Sequence, residues 1–514
     1  MNHRGSNAVT EPKTPDWVRD AIFYQIFPDR FARSQTVAKP TNLEPWVAPP
    51  TPQGYQGGDL IGVLEHLDYL ADLGINAIYF TPVFQSASNH RYHTHDYLRV
   101  DPMLGGDQAL RKLIDGAHAR GMKVVLDGVF NHASRGFFPF HDILENGPNS
   151  AYLDWFTVHG WPVNAYNHDQ PAGYNAWWGL HALPKFRTET PAVREYLWDV
   201  GRHWIEFGAD GWRLDVAHEI DDREFWAEFR RRVHAANPEA YIVGEVWEHR
   251  PFAALTDFDQ NIDRTDEATR WLRGDCWDAL MNYLFTRICF AFFIGSAINK
   301  DELKRTSFYR VDPTGAEAFQ SQVEKLLSHY HPNTSAVMMN LLGSHDLARF
   351  LHFARGDKSA LRLATLFQMT FPGAPSIYYG DEIGMTGGKD PDNRRAFPWN
   401  EPETWDKELL GDFRKMIALR KERPSLRRGS FTFLYAQGDV AAFLRQLGAE
   451  SIIVVFNTGQ SRTRIDIPTR NDVDDDLQFN EVWTDAQVRT ENGSLHQIEL
   501  APRSARVFAT SPIS

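Results

Sequence analysis

Short apolar segments that read as buried β-strands alternate with amphipathic helical patterns through the first four fifths of this chain. After the first segment, for example, Ile61, Leu64, Leu67, Leu70 and Leu73 recur every third residue, which predicts a helix over 61–73. The eight predicted strands are 21–27, 75–80, 123–129, 211–216, 241–246, 280–283, 337–342 and 376–379. Eight such alternations are typical of a parallel (β/α)8 TIM barrel, an α/β fold. An open doubly wound sheet is the alternative, but no glycine-rich phosphate-binding turn follows the first strand.

Two regions depart from this alternation and predict additional domains. A long stretch rich in Trp, Asn, His and Pro follows the third strand, and loops of that length are usually functional or fold separately. From about Ser430 onward the helical patterns stop and short strands separated by turns follow. We therefore predict a catalytic barrel over 1–132 and 186–428, an insertion domain over 133–185, and a C-terminal antiparallel β-sandwich over 429–514.

Charge and composition narrow the class of protein. The chain has 514 residues with 54 basic and 67 acidic side chains, a net charge of −13, which argues against a nucleic-acid partner. No apolar run is long enough to span a membrane, and no apolar leader is visible at the start. Only two cysteines are present, so a disulfide framework is not indicated. These features predict a cytoplasmic protein.

Carboxylates stand at the ends of several predicted strands. Asp127, Asp215 and Glu245 stand at the ends of the third, fourth and fifth strands and Asp346 just after the seventh, and the carboxyl ends of barrel strands form the functional face. A lone Asp at a strand end is often a helix cap, and Asp215 could serve only as the ion-pair partner of Arg213. Neither explanation accounts for the repetition at separate strands. Two carboxylates flanking one bond are what glycoside hydrolysis requires.

The neighbours of two of these acids suggest their roles. Arg213 stands two residues before Asp215, on the same side of the strand, so we expect its positive charge to hold the pKa of Asp215 down. Glu245 lies between Val243 and Trp247 with no basic residue nearby in sequence. An apolar setting raises the pKa of a carboxyl group, which suits a general acid.

Four motifs in this order resemble the signature regions of the α-amylase superfamily, glycoside hydrolase family 13. They are 127–132 (DGVFNH), 211–215 (GWRLD), 244–245 (GE) and 345–346 (HD). The resemblance implies that Asp215 is the nucleophile, that Glu245 is the acid/base and that Asp346 grips and distorts the sugar at the cleavage site. The remaining substrate-binding residues that it implies are Tyr92, Asp127, His132, Arg213, His345, Asp390, Arg394 and Trp247. Tyr92 would stack under that sugar, and Asp390 and Arg394 would bind its far edge.

Further stretches resemble the cyclomaltodextrinase, neopullulanase and maltogenic amylase group. They are 24–31 (YQIFPDRF), 183–186 (LPKF), 380–385 (GDEIGM) and 394–399 (RRAFPW). This resemblance implies retaining hydrolysis of α-1,4 bonds in cyclomaltodextrins and short maltodextrins, with transglycosylation when a sugar hydroxyl replaces water. The alternatives are an α-glucosidase, an α-1,6-acting enzyme or an endo-acting α-amylase. A non-catalytic, transporter-associated relative is disfavoured because both catalytic carboxylates are retained.

Several departures from the group qualify these expectations. Only a short segment precedes the first strand, so we expect the N-terminal domain of this group to be absent and the protein to be monomeric. The loop after Phe31 reads ARSQTV, without the carboxylates that a calcium site needs, so we expect no cofactor and no calcium requirement. His93, His218 and Arg187 replace residues usual in the group. Aromatic residues of the insertion are candidate platforms for sugar rings: Trp155, Phe156, Trp161, Trp177 and Trp178.

Overall fold

A parallel eight-stranded barrel forms the centre of the molecule. The computed structural model describes residues 11–246, 266–306, 311–469 and 472–510. The barrel strands, first to eighth, are Phe23–Ile26, Ala77–Phe80, Lys123–Gly128, Gly211–Leu214, Tyr241–Gly244, Ala279–Leu280, Met339–Leu341 and Ala374–Tyr378. The first strand pairs with both the second and the eighth, and a parallel bridge between Met281 and Met339 joins the sixth to the seventh. The predicted barrel is confirmed; the first seven strands are shorter than predicted, whereas the eighth begins two residues earlier and is one residue longer.

Helices surround the barrel and cover its strands. The longer ones are Gly106–His118, Pro191–Glu206, Arg223–Ala236, Ala316–His329, Lys358–Thr370 and Lys407–Glu422. The shorter ones are Pro28–Phe31, Leu60–Glu65, Leu67–Leu73, Phe138–Asn146, Asp266–Thr269, Tyr283–Cys289, Lys300–Thr306, Pro332–Ser335, Phe350–Phe353 and Pro424–Arg428. In the part of the chain that the structure describes, no helix is long and apolar enough to cross a membrane.

The helix predicted over 61–73 is in fact two helices that meet at His66. A period of three residues falls about 60° short of a full helical turn at each step, so an apolar stripe with this spacing drifts around a continuous helix. The break at His66 resets the direction of the chain. As a result Leu67, Leu70 and Leu73 are all buried against the barrel.

Polar side chains fix the register of the strands at the face opposite the functional one. Asn76, Asp210 and Asp278 each precede a strand and accept the backbone N–H of a residue on the adjacent strand or directly before it. The distances are 2.6 Å from Ile22 N to Asn76, 2.9 Å from Val124 N to Asp210 and 2.8 Å from Ile242 N to Asp278. A slip by one residue would leave these acceptors unpaired. The same contacts therefore also set the strand register at the functional face.

The insertion after the third strand has its own aromatic core. It packs beside a hairpin of Phe84–Ser86 and Thr94–Val100 that follows the second strand. Phe140 contacts Phe156 and Tyr174 with ring centroids 5.0 and 4.7 Å apart, and Phe156 also stacks on Phe186. Phe156 is only 1% exposed, so the prediction that it offers a face to sugar is wrong.

The C-terminal region consists of eight antiparallel strands. They are Ser430–Gln437, Val440–Leu447, Glu450–Asn457, Thr463–Pro468, Gln478–Glu481, Gln487–Glu491, Ser494–Leu500 and Ser504–Ala509. Alternate residues of the third of these strands enter different cores: Ile452 and Val454 join the barrel core, whereas Ile453 and Val455 join a separate core within this region. Both faces of this strand are therefore buried, as expected for a central strand of the predicted C-terminal β domain. The exact domain boundaries stay predictions.

Candidate active site

One buried guanidinium group joins three of the predicted site carboxylates. Arg213 Nη1 lies 3.0 Å from each oxygen of Asp127 and 2.9 Å from Oδ1 of Asp215. Its Nη2 forms an ion pair with Oε1 of Glu245. The third, fourth and fifth barrel strands are neighbours in the sheet, which brings these groups together although they are far apart in sequence. The predicted clustering of strand-end carboxylates is therefore present.

The shared cation does not offset the desolvation of these acids. Burial raises the pKa of Asp215 well above its usual value, while Arg213 acts in the opposite direction. Burial likewise raises the pKa of Asp127 to about 6, again against the effect of Arg213. The prediction that the pKa of Asp215 is held down is thus wrong in its net direction, because one guanidinium serves three carboxylates. A cluster with this excess of negative charge retains a proton near neutral pH.

Glu245 has more polar neighbours than its sequence context suggests. Besides Arg213, the backbone N–H of Val216 donates to Oε2 at 3.1 Å and the hydroxyl of Tyr283 donates to Oε1 at 3.0 Å. The expectation of an apolar setting is wrong because Arg213 lies on the adjacent strand, in register with Val243. Tyr283 follows the sixth strand and was not identified from the sequence, where nothing distinguishes it from a core aromatic residue.

A chain of hydrogen bonds orients His345. Gln25 Nε2 donates to His345 Nδ1 at 2.8 Å, so the ring proton lies on Nε2. That nitrogen is 2.6 Å from the hydroxyl of Tyr92, which in turn donates to Asp127 Oδ2 at 2.8 Å. Burial, together with Arg394 and Arg213, lowers the pKa of His345 well below its usual value, so the ring is neutral. Gln25 was missed from the sequence; its only signal is a polar residue inside an apolar strand.

Tyr92 and His345 also lie against each other as parallel rings. Their centroids are 5.4 Å apart with an interplanar angle of 9°. Tyr79 adds a second hydroxyl donor to Asp127 at 3.1 Å. Because Asp127 is buried and receives Tyr79, Tyr92 and Arg213, its oxygens are committed to neighbouring side chains.

Asp346 marks the more open side of the cluster. Its Oδ2 is 3.1 Å from His345 Nε2, its Oδ1 is 3.5 Å from Arg394 Nη2, and the side chain is 24% exposed. Burial and the nearby Glu245 raise the pKa of Asp346 to about 7, against the effects of Arg394 and Arg213. Asp390 lies 3.8 Å from Arg394 and is 43% exposed, so this predicted pair stands at the rim.

His132 connects the barrel to the insertion. Its buried ring stacks on Trp177, with centroids 4.9 Å apart and an interplanar angle of 15°. Burial lowers the pKa of His132 to about 3, so the imidazole is neutral. Trp247, the remaining predicted binding residue, lies outside the residues that the structure describes.

The loop after Phe31 does not offer carboxylate oxygens to a metal. Asp59 accepts the backbone N–H and the hydroxyl of Ser34 at 2.9 and 3.0 Å and the N–H of Gly62 at 2.8 Å. The ammonium group of Lys39 lies 3.0 Å from the same carboxylate and 2.6 Å from the carbonyl oxygen of Met103. Within the described ranges, no group of three or more His, Cys, Asp or Glu residues is placed to hold a metal ion.

Comparison with known proteins defines the class. Residues 25–408 match the model of the α-amylase catalytic domain, and residues 431–509 match the neopullulanase-like C-terminal domain. The chain therefore belongs to the α-amylase family of glycoside hydrolases, as the sequence motifs predict.

Individual relatives are similar over most of the chain. A cyclomaltodextrinase from Bacillus sp is 44% identical over 459 residues, which cover 88% of this chain and 75% of that protein. Among solved structures, Ttha1563 from Thermus thermophilus has a TM-score of 0.89 at 44% identity and covers 96% of this chain and 100% of its own. The debranching enzyme from Nostoc punctiforme has a TM-score of 0.85 at 45% identity, with coverages of 97% and 100%.

Proposed function

We propose that this glycoside hydrolase cleaves α-1,4-glucosidic bonds in cyclomaltodextrins and short maltodextrins with retention of anomeric configuration. The observation that carries the proposal is the placement of Asp215 and Glu245 on the two terminal nitrogens of one guanidinium group. Two carboxylates that share one guanidinium group support the arrangement of retaining enzymes, in which the second carboxylate attacks the anomeric carbon directly, without an intervening water. The 44% identity to a cyclomaltodextrinase supports the substrate class.

In the first step, Asp215 attacks the anomeric carbon while Glu245 donates a proton to the departing oxygen. Arg213 Nη1 lies 2.9 Å from Asp215 Oδ1 and favours the ionised carboxylate that attacks. In the second step, Glu245 removes a proton from water, and the water releases the sugar from Asp215. Asp346 and His345 bind hydroxyl groups of the same sugar.

The contacts of Asp127 support a positioning role in place of the sugar contact that the sequence predicts. Its oxygens already receive Arg213 at 3.0 Å, Tyr92 at 2.8 Å and Tyr79 at 3.1 Å. We therefore assign Asp127 to positioning Arg213 and Tyr92 and not to direct contact with sugar.

A second candidate function is cleavage of α-1,6 bonds. The 45% identity to a debranching enzyme over nearly the whole chain supports it. Both bond types need the same two carboxylates, so the difference rests on how the loops around the cleft orient the substrate.

A substrate panel tests these proposals. β-Cyclodextrin, maltotriose, soluble starch, pullulan and panose are incubated with the enzyme, and products are separated by chromatography while their anomeric configuration is followed by NMR. We expect rapid cleavage of β-cyclodextrin and maltotriose to maltose and glucose, with the α-anomer formed first. Preferential release of long oligosaccharides from starch would contradict the proposal, and preferential cleavage of panose or pullulan at α-1,6 bonds would favour the second candidate.

Residues outside the catalytic cluster support two further proposals, on calcium and on cellular location. We propose that catalysis needs no calcium, which the ion pair between Lys39 and Asp59 supports. We also propose a cytoplasmic location; the two cysteines, Cys276 and Cys289, are both buried free thiols, which supports a reducing compartment. The monomeric state stays a prediction that light scattering can test.

A further inference from the structure

Exposed aromatic rings are concentrated on the insertion. Phe138, Trp161, Tyr166 and Trp178 are 63, 43, 66 and 65% exposed. Several exposed rings on one segment are candidates for a binding surface, and flat ring faces suit the apolar faces of sugars. The ring that continues from the active site is the strongest candidate for binding the same substrate.

Trp178 is connected to the barrel by a stack of three rings. Its ring lies 4.7 Å from that of Trp177, and Trp177 lies 4.9 Å from His132, each pair at an interplanar angle of 15°. His132 follows the third barrel strand, which carries Asp127. The stack therefore runs from the mouth of the barrel to the surface, and only the outermost ring has a free face.

The backbone at Trp178 is held in an unfavourable conformation that supports this stack. Its φ and ψ are 51° and 25°, the left-handed region that bulky side chains rarely adopt. Because the Trp178 side chain is exposed, its burial contributes little free energy to offset this strain. The conformation directs the indole onto Trp177 and turns its other face outward.

Two buried nitrogens in the stack lack partners within the described structure. They are His132 Nε2 and Trp177 Nε1. The side-chain amide of Asn131 lies 3.2 Å from His132 Nδ1 and donates to it, so Nε2 carries the ring proton. Both nitrogens are therefore N–H donors, and buried donors of this kind need acceptors. Because both atoms are enclosed, they belong to the interior of the stack and not to its exposed face.

We propose that Trp178 is a glucan subsite, where its free face stacks on a glucose ring of an α-glucan that extends beyond the sugars at the cleavage point. Trp177 holds Trp178 in place, and His132 supports Trp177 from the barrel side. The other aromatic candidates do not share this geometry: Trp155 packs against Tyr196 at 5.5 Å, and Phe156 is in the core. This inference rests on the proposed function, because it assigns the outer part of the same substrate.

Chain-length dependence tests the subsite. We compare wild type, Trp178→Ala and Trp178→Phe on maltotriose and maltoheptaose, with Tyr166→Ala as the control, since Tyr166 is equally exposed on the same insertion but stacks under Arg135. For Trp178→Ala we expect KM for maltoheptaose to rise about five- to tenfold, the effect of losing one aromatic stacking contact. The effect on maltotriose should be several times smaller, Trp178→Phe should recover part of the loss, and Tyr166→Ala should alter neither substrate selectively.

A binding measurement keeps the subsite separate from the activity. The affinity of maltoheptaose and maltotriose is measured by calorimetry in a Glu245→Gln background, with and without Trp178→Ala, so that turnover is not needed. A selective loss of maltoheptaose affinity supports the subsite even if the substrate panel shows that the proposed α-1,4 activity is wrong. Equal losses for both sugars, or no loss for either, would overturn it.

Discussion

Glu382 should make the stability of this protein depend on pH in a way that one substitution removes. The side chain is fully buried behind the eighth barrel strand, and its Oε1 accepts the hydroxyls of Tyr24 at 2.8 Å and Tyr69 at 2.7 Å. Its Oε2 has no hydrogen-bond partner among the described residues. Burial raises the pKa of Glu382 from 4.5 to about 7, partly offset by the two tyrosine hydroxyls.

The size and sign of the effect follow from this shift. Below pH 4.5 the Glu382 carboxyl is protonated in both the folded and the unfolded protein. Its full stabilising contribution to the free energy of unfolding is then present. As pH rises from 4.5 to about 7, only the unfolded state ionises, so stability falls by about 3 kcal/mol and then levels off. The entropy of unfolding of a chain this long is about 1 kcal/mol per kelvin, so this corresponds to about 3 °C in Tm.

Glu382→Gln keeps an oxygen for the tyrosine hydroxyls but cannot ionise. We expect the Tm of the variant, relative to wild type, to rise by about 3 °C between pH 4.5 and pH 8. Calorimetric scans at one fixed rate measure this difference, and Glu239→Gln, at an exposed position, controls for the change of side chain. A Tm difference that stays constant across this range would refute the reasoning.

Three further predictions concern the active site and the metal. Gln25→Glu should raise the pKa of the His345 ring, because a carboxylate accepts the Nδ1 proton; NMR titration of the ring measures this change, and an unmoved titration contradicts it. Tyr283→Phe removes one donor to Glu245 and should lower kcat/KM about tenfold with an unchanged circular dichroism spectrum, whereas wild-type kinetics would show that the contact is unimportant. Dialysis against a chelator should leave Tm within about 1 °C, since Lys39 already neutralises Asp59; a loss of several degrees that calcium restores would show a structural metal.

The sequence was sufficient for the architecture because the relevant signals are local. Each barrel strand is a short apolar run, and Asp215 or Glu245 at its end is visible without knowing the neighbouring strands. One predicted helix, 61–73, is wrong as a single element. Its apolar residues recur every third position, which predicts a helix but does not match the 3.6-residue turn of a continuous one. Tertiary packing decided the break at His66.

The electrostatics of the site could not be predicted in this way. Arg213 and Glu245 are paired only because the fourth and fifth strands are adjacent, and the charge balance of the cluster depends on that contact. The hydrogen bond between Gln25 and His345 joins residues 320 positions apart. The platform residues were ambiguous for the same reason: whether an aromatic ring such as Phe156 faces core or solvent depends on what packs against it.

Trapping the covalent intermediate tests the central claim most directly. A Glu245→Gln variant is incubated with α-glucosyl fluoride, whose leaving group needs no proton, so the first step proceeds while the second lacks its base. Mass spectrometry of the digested protein then locates the added hexosyl group. We predict that it is attached to the peptide containing Asp215 and that Asp215→Asn in the same background abolishes the label. Labelling of any other residue, or labelling that survives Asp215→Asn, would contradict the account.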